Sequence, residues 1–179
     1  MGVPEASLEP TDVGLVPRGE GWFVLNARDS RWDGGAVGAA CVFEGEPRFE
    51  QLGVRLFVLE SGQPMSMYHA EAAQEDFLVI DGEALLIVEG QERPLSKWDF
   101  VHCPAGVAHT IIGGGDGLCR ILAVGSRAHW GRDDWILYPV NEVAARHGAS
   151  VEYETNDVDE AYARFPDARW LAYREGWLP

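Results

Sequence analysis

The chain has 179 residues, 46% of them hydrophobic, which suits one domain with a sizeable core and flanking tails. Its formal charge of −15, from 14 basic against 29 acidic residues, excludes a reader of phosphate backbones or a protein that docks on anionic membrane, since both need clustered Lys and Arg. Cys41, Cys103 and Cys119 are an odd set without C-x-x-C spacing, which excludes a disulfide frame or a structural zinc knuckle.

The 21 glycines and 10 prolines call for many turns, and hence for short strands. Residues 1–20 are acidic and broken by prolines. They read as an extended or loosely held arm, without the cationic start and apolar stretch of a secretory signal. From Trp22 to Val42 the apolar pieces WFVL and AVGAACVF flank the charged stretch NARDSRWDGG, as one or two strands around a loop. From Val54 the chain runs in short apolar blocks (VRLFVL, FLVI, ALLIV, DFVHC, HTII, LCRILAV) separated by turn chemistry. Asp81-Gly82, Glu89-Gly90 and the glycine-rich run at 113–117 are each expected to be hairpin turns. Strands at such short spacings mark an antiparallel sandwich or barrel.

Beyond Gly125 the texture changes. Val140–His147 has helical spacing, with Asn141 as N-cap and Gly148 as terminator. A second short helix is expected from Asp157, with Glu160 completing a capping box, until Pro166 stops it. The closing stretch RWLAYREGWLP reads as a tail packed over the barrel or a neighbouring subunit, with a substrate lid as the sharper alternative. The expected organisation is an N-terminal arm and flanking strands (1–53), a barrel core (54–126) and an extension with short helices (127–179). No apolar run approaches the roughly 20 residues of a membrane span, and a cytoplasmic location is expected.

The chemistry gathers in two clusters forty residues apart. In the first, His69 and Glu71 share one face of a strand, and Glu75 returns to that face if the strand stays extended. In the second, a Pro-Gly turn feeds a strand that starts with His109. Two imidazoles and two carboxylates make a credible N/O site for one divalent metal, whether zinc, iron, manganese or nickel. His102 and Cys103 alternate, so only one faces inward, and Cys103 reads as a small core residue. His129 and His147 read as surface residues.

Here the sequence resembles the cupin superfamily, whose two motifs are approximately G-x5-H-x-H-x3,4-E-x6-G and G-x5-P-x-G-x2-H-x3-N. Glu75 with Gly82 matches the end of the first, and Pro104, Gly106 and His109 match the centre of the second. The resemblance covers about residues 54–125. At the shorter spacing His69 falls on the first histidine and Glu71 on the second. The longer spacing would put Tyr68 and Ala70 there, and the first is preferred because it keeps a ligand-capable side chain at every position. Trp98 stands where the second motif begins with glycine, and Gly113 where it ends with asparagine. The resemblance implies an all-β fold, a single double-stranded β-helix (jelly-roll) barrel with short C-terminal helices. It also implies a metal on His69, Glu71, Glu75 and His109, and a small organic ligand. Dioxygenase, sugar or sugar-phosphate isomerase and decarboxylase activities all occur in the family, as do non-catalytic binding or structural barrels, so enzyme and binder both stay open. Flat apolar outer strands and the Trp-rich tail lead us to expect a homodimer.

Overall fold

The computed structural model describes residues 2–35 and 37–179. Its strands are β1 (Ser7–Thr11), β2 (Gly14–Arg18), β3 (Trp32–Gly34), β4 (Ala39–Val42), β5 (Leu52–Leu59), β6 (Ala70–Glu71) and β7 (Glu75–Asp81). They continue as β8 (Glu83–Val88), β9 (Gln91–Ser96), β10 (Phe100–Cys103), β11 (His109–Gly113), β12 (Cys119–Ser126) and β13 (Ile136–Leu137). Helices α1 (Glu142–Arg146) and α2 (Val158–Tyr162) precede the last strand, β14 (Arg169–Leu171). The fold is all-β with two short helices, as expected. Among the described residues no helix is long and apolar enough to cross a membrane.

Two sheets face each other. The larger runs β10-β7-β12-β5-β4-β3-β14 and the smaller β11-β8-β9, all antiparallel. The stretch 64–69 lies along the free edge of β11 through the bridges Pro64–Ile112 and His69–His109, and so serves as a fourth strand of the smaller sheet. Between the sheets lies a core that includes Leu59, Phe77, Val79, Leu86, Ile111 and Ile121. The smaller sheet is covered on its other face as well, where Ile87 and Ile112 pack against Tyr68, Ala144 and Ala149, so β11 is buried at every position.

The turns divide into two kinds. Glu89 and Gly90 both take positive φ (48° and 70°) between paired strands β8 and β9, so this expected hairpin forms. Asp81-Gly82 does not make one: β7 belongs to the larger sheet and β8 to the smaller, and the turn is a corner between them. Gly82 has φ 82°, and a Cβ there would stand 2.5 Å from the Leu118 carbonyl oxygen, so the corner has room only for glycine. The run at 113–117 is likewise a corner, carrying β11 of one sheet into β12 of the other. Turn composition marks a reversal but not whether the strands on either side pair, because pairing is decided by which core face each strand must cover.

The N-terminal reading also needs correction. Residues 7–18 are not a loose arm but a β1–β2 hairpin, with Val16 buried and the Leu15 amide donating to the Asp29 carbonyl. Pro10 and Pro17 do not prevent this, because a two-stranded ribbon has outer positions at which no N–H is required. WFVL forms no strand, and Trp22 and Val24 are exposed. Trp32, from the charged stretch, is instead completely buried.

The extension follows its sequence signals closely. The Asn141 side chain accepts from the Val143 and Ala144 amides, and Gly148 at φ 67° follows the end of α1. Asp157 caps α2 by accepting from Asp159 and Glu160. The expected capping box is only half formed, since the Glu160 carboxylate accepts from the Thr155 hydroxyl (2.6 Å) instead of reaching back to the Asp157 amide. The tail packs on the barrel: β14 pairs with β3, and the Trp177 ring lies 4.8 Å from that of Trp32.

Trp98, in the turn from β9 to β10, sits at φ 77°, in the left-handed region that costs a residue with a Cβ roughly 1–2 kcal/mol. Trp98 is 65% exposed, with the Lys97 ammonium over its ring, so little packing compensates. This is the position at which the second cupin motif carries glycine. Trp98→Gly should therefore stabilise the fold by about 0.5–1 kcal/mol after allowing for the extra freedom of glycine in the unfolded chain. Chemical denaturation would show this as a higher midpoint at unchanged slope; an unchanged or lower midpoint would contradict it.

Candidate functional site

His69 ends the 64–69 stretch, and its amide and carbonyl both bond to His109. His109 opens β11 after the turn at Pro104–Gly106, in which the Gly106 amide donates to the Glu71 carbonyl. Glu75 opens β7 in the opposite sheet. The expectation that His69, Glu71 and Glu75 share one continuous strand does not hold. The chain bends at 72–74, where the Ala72 amide turns to the Trp135 carbonyl, and β6 pairs with β13 while β7 enters the large sheet. The bend brings Glu75 across the barrel to face both imidazoles.

His69, Glu75 and His109 each offer one ligand atom, and the three atoms lie within 4.8 Å of one another. Glu75 Oε2 stands 3.4 Å from His69 Nε2 and 3.3 Å from His109 Nε2. Glu71 lies at the rim, with Oε1 4.0 Å from His69 Nε2. Both rings are oriented from behind. His69 Nδ1 donates to the Met67 carbonyl (2.7 Å) and His109 Nδ1 to the Val107 carbonyl (2.9 Å). A carbonyl can only accept, so each Nδ1 carries hydrogen and each neutral ring presents the lone pair of Nε2 to Glu75. Glu75 Oε2 and His109 Nε2 are fully buried and have no hydrogen-bond partner.

Three lone-pair donors converging in a buried spot repel one another unless positive charge sits among them. Protons can provide it. Burial opposes a charge on His109, but the neighbouring Cys103 thiol and Glu75 carboxylate outweigh it and push the imidazole up to about 9. His69 moves the same way, its burial overcome by Glu75. Burial alone would raise Glu75, yet its two imidazole neighbours hold it far below the usual carboxylate range. Burial and the Glu75 charge push Glu71 up to about 7. A divalent cation answers the same demand without protons, and His69, Glu75 and His109 could hold one.

The site opens into a cavity of about 850 Å³ between the larger sheet, the 64–69 stretch and the α2 region, lined by residues that include Phe57, Phe77, Tyr138 and Tyr162. The Tyr138 ring lies 5.8 Å from that of His69, and burial raises its hydroxyl above the ordinary range. Val158, Tyr162 and Phe165 border the cavity, so its cover comes from α2 and the segment after it, not from the Trp-rich tail. Cys103 is buried in the core and His102 is exposed, as the alternation predicts. His147 is part-exposed and bonded to Glu92.

Arg55, one of the few basic side chains of the barrel segment, and the aromatic wall carry no local motif that marks them as site residues. What signal there is lies in β5, where inward Leu59 and Phe57 carry the same alternation back to Arg55.

The family profile described as "Cupin domain" matches residues 55–125. Among curated proteins, none matches the chain. Among solved structures, a sugar phosphate isomerase from a cupin superfamily, from Silicibacter pomeroyi, is 28% identical, with 57% of this chain and 62% of that chain aligned and a TM-score of 0.46. The chain thus spans less than two thirds of that protein's length. The polyketide cyclase RemF from Streptomyces resistomycificus is 15% identical over 59% of this chain and 79% of its own (TM-score 0.52). A predicted oxalate decarboxylase from Thermotoga maritima is 16% identical over 58% and 98% (TM-score 0.52). The latter two support the fold. With two apposed sheets, sheet-to-sheet corners and the matched profile together, residues 55–125 of this chain are a cupin domain.

Proposed function

We propose that this cupin protein holds one divalent metal ion on His69, Glu75 and His109, with Glu71 at the rim as a fourth ligand. We propose further that it acts on, or binds, a small organic molecule in the adjoining cavity. The observation that carries this reading is the pair of buried, unpartnered atoms, Glu75 Oε2 and His109 Nε2, facing each other beside His69. An ion bound there supplies Lewis-acid chemistry, polarising an oxygen of the bound molecule. The protein's own part is to fix both imidazoles through Met67 and Val107 and to shield the site with Phe77 and Tyr138.

A second reading rests on where the ligands come from. His69 and His109 belong to the smaller sheet and Glu75 to the larger, so an ion there also ties the two sheets together. A non-catalytic binding or structural barrel would use the metal in that way alone. Elemental analysis of purified protein is expected to find about one divalent ion per chain, and removal by a chelator should lower the melting temperature. Oxygen-uptake and isomerase screens on the loaded protein then separate the readings, turnover favouring the enzyme. Wild-type protein that binds no divalent ion would overturn both.

A further inference from the structure

The cavity has a charged end opposite the His/Glu cluster. On the inner face of the large sheet, Glu75 of β7 stands across from Gly125 of β12, and Gly125 across from Gly53 of β5. One inward step along, Phe77 faces Ala123, which faces Arg55. All six line the cavity. Strand spacings of about 4.8 Å and a rise of about 3.3 Å per residue place the Arg55 and Glu75 backbones roughly 12 Å apart. Between them β12 presents only Ala123 and Gly125, and the Arg127 guanidinium lies over Gly53, 3.4 Å from where a Cβ would stand.

Arg55 stands there half-exposed and donates no hydrogen bond to any described residue. Its nearest acid is Asp33, at 3.6 Å from Nη1, too long for an N–H···O bond. Of the other two arginines of the cavity, Arg127 forks onto both Glu44 oxygens (2.6 and 2.8 Å), whereas Arg48 stacks on the Trp130 indole and keeps its in-plane donors. A guanidinium with open donors in a partly apolar cavity is built to take a planar anion in two parallel bonds.

We propose that the ligand of this cavity is a small organic monoanion with an apolar body. Its carboxylate docks on Arg55 and its body lies over Ala123 and Gly125, between Phe57 and Phe77, toward His69, Glu75 and His109. The proposal rests on the metal-site reading above. Asp33 beside Arg55 disfavours a doubly charged phosphate there, whereas a single carboxylate suits the Arg55 guanidinium.

The test measures calorimetric binding of 3-phenylpropanoate, its neutral primary amide and inorganic phosphate to the full chain as purified, with metal content determined on the same samples. The acid should bind wild-type protein at least about tenfold more tightly than the amide and more tightly than phosphate. Arg55→Met should lose about tenfold or more of the acid's affinity while keeping its metal and its melting temperature. His109→Ala should lose metal but keep an Arg55-dependent preference for acid over amide. Equal binding of acid and amide overturns the proposal while leaving the metal reading intact, as do tighter binding of phosphate, no binding of the acid, or unchanged affinity in Arg55→Met. Carboxylate binding lost in His109→Ala and kept in Arg55→Met places the anion on the metal and overturns it as well. Wild-type protein without metal overturns both readings.

Discussion

His109→Ala should abolish stoichiometric metal binding while leaving the barrel folded. Replacing groups that merely orient a ligand costs about 10–100-fold in metal affinity, so deleting one of three converging ligands should cost more than a hundredfold. The fold should survive because β11 is held by a five-residue register with β8 and by the 64–69 stretch, none of which needs the imidazole. The ring is 1% exposed, so its removal leaves a void against Phe77, and a loss of roughly 1–3 kcal/mol is expected on that account. Glu75→Gln is the companion variant. It keeps the shape, removes the charge, and offers an amide donor to the imidazole lone pairs, so it should lose metal with even less disturbance. Elemental analysis beside circular dichroism reads both effects. Full metal occupancy in both variants would place the ion elsewhere.

Trp32→Ala should cost about 3–5 kcal/mol, the range for removing a large, fully buried aromatic ring. Trp32 is completely buried and its indole N–H donates to the Ala27 carbonyl at 3.0 Å. It packs against Val58 of the barrel, Cys41 of β4, and Tyr173 and Trp177 of the tail. One ring therefore joins the N-terminal strands, the barrel and the C-terminus. For a chain of this size each kcal/mol shifts the melting temperature by about 2–4 °C, so a fall of roughly 6–20 °C is expected. A loss under about 1 kcal/mol would mean that the tail and β3 contribute little to the folded state.

These two side chains show how unevenly the structure could be read from sequence. His109 announced itself, because a Pro-Gly turn followed by a histidine at a strand start is a local pattern. Asn141 and Asp157 were legible for the same reason, since a cap acts on amides two and three residues away. Trp32 was hidden in a charged stretch, and only its pairing with Cys41 and the return of the tail bury it. The two sheet corners were misread as hairpins because composition reports a turn, not the sheet to which the next strand goes. The bend at 72–74 was invisible too, although it carries Glu75 across the barrel to both histidines. Trp98 gives the converse case: the motif expects glycine, and the backbone there takes the conformation that glycine favours despite the indole.

The proposed site places one divalent ion among His69, Glu75 and His109. Diffraction from crystals of the purified protein, collected on either side of the absorption edge of the metal found by elemental analysis, tests it most directly. A single anomalous peak is expected at about 2.0–2.2 Å from His69 Nε2, His109 Nε2 and a Glu75 oxygen if the ion is zinc. An anomalous map featureless at that point in fully loaded protein, or a peak bound by other residues, would contradict it.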